Sequence, residues 1–95
     1  MAAYIIVEIH VHDPVQYERY KELAASTVAA FGGRYVVRGG AADVLEGARE
    51  PARVVVLEFP TVQRAREWWA SDAYTRAREI RSACASTEMI VVEGV

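Results

Sequence analysis

Strand, helix, strand, strand, helix, strand: the order of hydrophobic periodicities predicts an α+β domain built on one four-stranded, mainly antiparallel sheet. Two observations lead there. Stretches of period-two alternation are bounded by glycine, proline and aspartate, and helical spacing fills both gaps long enough to hold a crossover. The chain has 95 residues, 53% apolar and 25% charged, which is the size and balance of a single globular domain spanning residues 1–95.

Residues 4–11 alternate, with Ile5, Val7, Ile9 and Val11 on one face and Tyr4, Ile6, Glu8 and His10 on the other. Asp13 then caps a helix, Pro14 suits its first position, and Gln16 completes a capping box. Tyr17, Tyr20, Ala24, Thr27, Val28 and Phe31 recur at three- and four-residue steps along its apolar side. Gly32 closes it in the left-handed conformation. Residues 34–38 form the second strand, Tyr35 and Val37 facing one way and Arg34, Val36 and Arg38 the other. Gly39 and Gly40 let the chain bend, residues 44–46 continue as a short edge segment, and residues 47–52 turn. Residues 53–59, with three consecutive valines, read as a central strand buried on both faces. Pro60 stops it and Thr61 caps a helix with Val62, Ala65, Trp68 and Trp69 on its apolar side. Ser71 and Asp72 break this helix and cap a short one carrying Tyr74, Ala77, Arg78 and Arg81. Residues 82–87 form a connection, and residues 88–93 a last strand with Ile90 and Val92 opposite Met89, Val91 and Glu93.

This order is the ferredoxin-like βαββαβ arrangement. Right-handed crossovers are expected to set the first and third strands side by side and parallel, with the second and fourth at the edges and both helices on one face. The helix-covered set is then Ile5, Val7, Ile9, Tyr35, Val37, Val55, Leu57, Ile90 and Val92. The opposite face carries Ile6, Val36, Val54, Val56, Met89 and Val91 among Glu8, His10, Arg34, Arg38, Glu58 and Glu93. That is too apolar to face water, so a homodimer is expected, with two sheets packing face to face as a dimeric α/β barrel. A small domain buries a limited share of its own surface and gains from such sharing.

The net charge of −2, with acidic residues between the arginines of residues 64–81, excludes the basic footprint that nucleic acid requires. No apolar run approaches a membrane span and no signal peptide is evident. Cys84 is the single cysteine, so no internal disulfide forms; it reads as a small buried residue, and a cytoplasmic location is expected.

Asp13-Pro14 with Tyr17 and Tyr20, Gly32-Gly33-Arg34-Tyr35, Arg38-Gly39-Gly40, Glu46-Gly47, residues 54–60 ending Leu-Glu-Phe-Pro, and Trp69 with Ser71 and Tyr74 together resemble the domain of unknown function 1330 family. The resemblance covers nearly the whole chain and places it in the dimeric α/β-barrel superfamily. It implies a ferredoxin-like fold and a barrel-forming dimer, and no particular activity. Related barrel families include cofactor-free monooxygenases, isomerases, cyclases and haem-dependent enzymes, so fold does not decide function.

For chemistry, Glu58 and Arg38 are expected to share a face on neighbouring strands. A partly desolvated carboxylate can act as a base, and an arginine can hold an enolate or carboxylate; the alternative is a structural ion pair. His10 is a candidate proton shuttle. Glu8, His10 and His12 alternate, but two histidines and a carboxylate at a strand end are a weak metal signal, and no metal site is expected. Glu8 and Glu58 are expected close together on parallel neighbours, with Arg34 between them. Tyr17, Tyr20 and Trp69 are candidate walls for a planar ligand, with Arg34 beside it. The glycine pairs lack the strand–glycine loop–helix context of a dinucleotide site, and no cofactor is expected. Two readings follow. One is a cofactor-free enzyme performing proton transfer, isomerisation or oxygenation on a small aromatic or enolisable molecule. The other is a non-catalytic homodimer that binds a metabolite or serves as an accessory subunit.

Overall fold

The computed structural model describes residues 1–95, with elements β1 (Ala3–Val11), α1 (Pro14–Ala30), β2 (Arg34–Arg38), β3 (Arg53–Phe59), α2 (Val62–Ala70), α3 (Asp72–Cys84) and β4 (Ala85–Glu93). The sheet order is β2-β3-β1-β4 and every pairing is antiparallel, the ferredoxin-like arrangement with its second helix broken in two. The expected parallel pairing of the first and third strands is therefore wrong. α1 returns the chain so that β2 runs in the direction of β1, and β3 then doubles back on β2, so it must oppose β1 as well.

Local chemistry explains the helix ends. Asp13 is extended, and its Oδ1 accepts from the backbone N–H groups of Val15 at 3.1 Å and Gln16 at 3.3 Å. Gln16 does not complete the capping box; its Oε1 accepts from Arg19 instead. The break between α2 and α3 rests on one hydroxyl. Ser71 Oγ donates to the carbonyl of Trp68 at 2.7 Å and accepts from the N–H of Tyr74 at 3.2 Å, closing one helix and opening the next. The three helices form one layer on one face of the sheet, over a core centred on Ile5, Val7, Ile9, Val55, Leu57 and Phe59 from the strands and Tyr17, Val28, Trp68 and Tyr74 from the helices. No helix is long and apolar enough to cross a membrane.

Three further expectations change. Residues 82–87 are no connection: α3 continues to Cys84 and β4 begins at Ala85. The backbone N–H groups of His12 and Asp13 both donate to the Cys84 carbonyl, at 2.7 and 3.1 Å, which fastens this junction to the end of β1. Starting the strand at buried Ala85 sets its phase, so Met89 and Val91 pack on the core while Ile90, opposite Ile6, and Val92, opposite Tyr4, lie on the open face. Residues 44–46 form no edge strand. The chain from Gly39 to Ala52 is an arm without regular structure and mostly exposed, with Gly39 at φ +72° and Gly47 at φ +97° at its turns.

The third change lies in β2. Arg34 pairs with Glu58 and Tyr35 with Leu57, but Val37 pairs with Val56 and Arg38 with Val55. The register slips by one residue, leaving Val36 without an opposite number. Val37 is thereby moved to the open face with Val56, and Arg38 is turned to the helix-covered face beside Val55.

Candidate functional site

Because of that slip, the residues singled out from the sequence divide between two faces of the sheet. Arg38 and Glu58 are not partners. On the open face, Glu58 accepts from Arg34 Nε at 2.5 Å and from the Tyr4 hydroxyl at 3.0 Å. Both donors stabilise the charged form, Arg34 foremost, and hold the Glu58 carboxyl below its usual range. This is the reverse of the raised value expected of a base. Glu8 is not its neighbour either: Glu58 lies opposite Tyr4 and Glu8 opposite Val54, four residues further along β1. Glu8 is paired with Arg49 from the arm, and His10 lies exposed on the same open face, across from Ser86. His12 shares a hydrogen bond of 2.8 Å with Ser86, and no three histidine, cysteine or acidic side chains converge as metal ligands would.

On the helix-covered face, a cleft opens between α1 and the β2–β3 edge. Tyr17, Tyr20, Lys21, Tyr35, Arg38, Arg53 and Trp68 line it above a floor of Val7, Ile9, Val55 and Leu57. Its enclosed volume is about 20 Å³, room for roughly one water. Tyr17 and Tyr20, one turn apart on the buried side of α1, stand with ring centroids 5.5 Å from each other. The Arg38 guanidinium lies 4.2 Å from the centre of the Tyr35 ring, and that of Arg53 lies 5.6 Å from the centre of Tyr17. Arg53 opens β3 in phase with Val55 and Leu57, which carries its side chain to this face. Its guanidinium runs against Gly39, where a β-carbon would collide with it. Arg53 Nε is buried and has no hydrogen-bond partner.

Behind the cleft, Arg81 donates to the Tyr74 hydroxyl at 2.7 Å, and the Tyr74 and Tyr20 hydroxyls are 2.8 Å apart. Arginine can only donate, so Tyr74 accepts from it and has its own proton free for Tyr20. Burial pushes the phenols of Tyr20, Tyr35 and Tyr74 upward, so all three stay protonated at neutral pH. Trp68 Nε1 donates to Thr27 Oγ1 at 3.0 Å, and its indole packs 3.9 Å from the Tyr74 ring, centroid to centroid. No carboxylate forms a salt bridge with Arg38, Arg53 or Arg81. Cys84 is buried, and that burial pushes its thiol upward, away from nucleophilic character.

The cleft thus holds Arg38, Tyr17 and Tyr20 of the expected set and leaves Glu58, Arg34 and His10 on the other side of the sheet. Trp69 is also elsewhere: it is 44% exposed beside β4, with the Arg78 guanidinium 3.9 Å from its ring centre. Trp68 takes the place expected of it. Arg53 was missed although its position two residues before Val55 is signal enough, since period-two counting sends it inward. Arg81 sits on the buried stripe of α3 with Tyr74 and Ala77, where an arginine reads from sequence as a surface charge.

The sequence profile of a family described as domain of unknown function (DUF1330) matches residues 2–95. No curated protein matches the chain. Among solved structures, a protein of unknown function from Rhodopseudomonas palustris is 18% identical, with a TM-score of 0.80 over 99% of this chain and 82% of that one. A cofactor-independent oxygenase from Streptomyces nogalater, SnoaB, is 15% identical, with a TM-score of 0.68 over 99% of this chain and 93% of its own. A dimeric ferredoxin-like protein of unknown function from a Jannaschia species is 14% identical, with a TM-score of 0.67 over 99% and 100%. At these identities the likeness is one of fold.

Proposed function

The chain belongs to the domain of unknown function family DUF1330, and from that premise we propose that it is a homodimeric small-molecule protein whose cleft takes a planar aromatic or enolisable compound as its oxyanion. One observation carries this reading. Arg38 and Arg53 stand over a ring of tyrosines with no carboxylate to neutralise them, and Arg53 Nε is a buried donor with nothing to donate to. A buried donor without a partner costs stability unless an acceptor completes it. A phenolate or enolate oxygen supplies that acceptor; the cleft itself holds about one water, so Arg38 swings off Tyr35 and the ring lies against Tyr17 and Tyr35 at its mouth, above buried Trp68.

Two cations beside an ionisable hydroxyl favour its charged form, so the cleft lowers the pKa of a bound phenol or enol. The proton leaves to water, since the lining residues include no carboxylate or histidine to take it. An electron-rich anion held apart from bulk water is the reactant that cofactor-free oxygenation, isomerisation or proton transfer requires, and the fold is shared with an oxygenase that works without a cofactor. Glu58, with its lowered pKa and two hydrogen bonds, serves in this reading as an ion-paired contact of the open face rather than as a base. His10 and Arg34 take no part in the cleft. The open face, where Ile6, Val36, Val37, Ile90 and Val92 are each at least 36% exposed, is the surface that meets the second subunit.

The absence of a general base from the lining favours a second reading, a binding protein that holds the anion without transforming it. Both share one test. In a Trp69→Phe background, Trp68 is the sole indole, and 2,4-dinitrophenolate, a planar phenolate ionised at neutral pH, is titrated against its fluorescence. Saturable quenching is expected, weakened about tenfold or more by Arg53→Gln, as loss of a charge-assisted hydrogen bond implies. Equal affinity in the arginine variant, or no quenching at millimolar probe, would overturn the reading. Oxygen uptake with an enolisable aromatic ketone, without added metal or flavin, then separates catalysis from binding.

A further inference from the structure

A second unsatisfied surface lies at the other edge of the sheet. Between α2 and the edge strand β4, a groove of about 380 Å³ is lined by Ile5, Ala65, Trp69, Met89, Ile90 and Val91 among others. Seven of its eight lining residues are hydrophobic, too few polar groups to orient a small ligand. Its one charge is Arg66, which is exposed and has no ion-pair or hydrogen-bond partner. Trp69 at 44% and Ile90 at 58% exposure show how much apolar surface this groove leaves open.

The arm between β2 and β3 is complementary to it. Leu45 is 95% exposed and Val44 46% exposed, and they are flanked by Asp43 and Glu46, neither of which has an ion-pair partner in its own chain. Acid, two aliphatics, acid is the pattern that an apolar groove with a cation at its rim would accept. In its own subunit the arm does not enter that groove: Leu45 stands 95% exposed, and the arm's return end lies instead on the open face, where Arg49 pairs with Glu8 and Arg49 and Glu50 line a depression with Ser86, Thr87 and Glu88 of β4.

We infer that the Asp43–Glu46 segment of each subunit docks in the α2–β4 groove of a second copy, Val44 and Leu45 filling the apolar floor and an acid pairing with Arg66. The exchange is reciprocal: arm in groove twice over, as a two-fold pair requires, so it closes at two copies and builds no filament. The inference rests on the dimer proposed above but not on the chemistry of the cleft.

The test is a cross-link between copies. Leu45→Cys and Ile90→Cys are each placed in a Cys84→Ala background, co-refolded in equal amounts and oxidised. A disulfide-linked pair is expected from the mixture at a rate at least tenfold above either protein alone. Leu45→Asp, a change at a site too exposed to disturb folding, is expected to raise the dimer dissociation constant at least tenfold in sedimentation equilibrium. A mixture that cross-links no faster than its components, or a Leu45→Asp protein that dimerises like the wild type, overturns the docking while the sheet-face dimer stands. A wild-type protein that is monomeric at micromolar concentration overturns both.

Discussion

Glu58 shows how a single side chain can be placed by its neighbours rather than by its type. Arg34 and Tyr4 hold its carboxyl below the ordinary value, so its folded-state pKa lies under the unfolded one. The stability this supplies is complete above the unfolded carboxylate range, near pH ~4.3, and is lost as pH falls through the lower folded value. Glu58→Gln should therefore flatten the acid limb of stability against pH. Urea titrations between pH 7 and pH 3 check this, and an unchanged slope would count against the ion pair as a folded-state contact. The sequence displayed this glutamate but not its partner. Arg34 and Arg38 are chemically alike and four residues apart, and simple alternation puts both on one face. Only the slip at Val36 separates them, and nothing in a Val-Val pair marks which residue goes unpaired.

Elements with clear punctuation were legible from the sequence: Asp13-Pro14, Gly32, Pro60 with Thr61, and Ser71 each sit where a helix or strand begins or ends. The α3–β4 junction was not, because alanine, serine and cysteine suit the end of a helix and the start of a strand about equally well, and their phase decides which side of β4 faces the core. Gly39 and Gly40 look interchangeable in the sequence yet do different things. Gly39 has a positive φ and the Arg53 guanidinium against its α-carbon, whereas a β-carbon on Gly40 meets nothing within 4 Å. Gly39→Ala should cost about 1–2 kcal/mol from its backbone conformation alone, and it should also weaken phenolate binding by displacing Arg53. Gly40→Ala should do neither. Denaturation midpoints and the Trp68 titration of both variants distinguish them.

At the scale of the molecule, the chain is a slab with extents of 34 × 34 × 16 Å, one sheet thick and one helix layer thick. The expected α+β class and strand order hold and the strand directions do not, while the expected site residues divide between the two faces of the sheet, because their grouping depends on which face each charge reaches. The aliphatic open face leads to a prediction: Val56→Glu, opposite Val37 and Ile6 at the middle of that face, should give monomers by light scattering where the wild type gives dimers. The same variant should still quench with 2,4-dinitrophenolate, because the cleft lies on the other side of the sheet. The unpaired Val36 adds a consequence that reaches across the whole assembly. It works as a phase setter of one residue: five residues of β2 span four rungs of β3, so two arginines four apart, which regular alternation would put on one face, serve the subunit interface and the subunit interior separately. Deleting Val36 would leave Arg38 opposite Val55 in an unbroken ladder and keep the cleft's cation, whereas pairing all five residues in regular alternation would turn the same arginine into an interface cation.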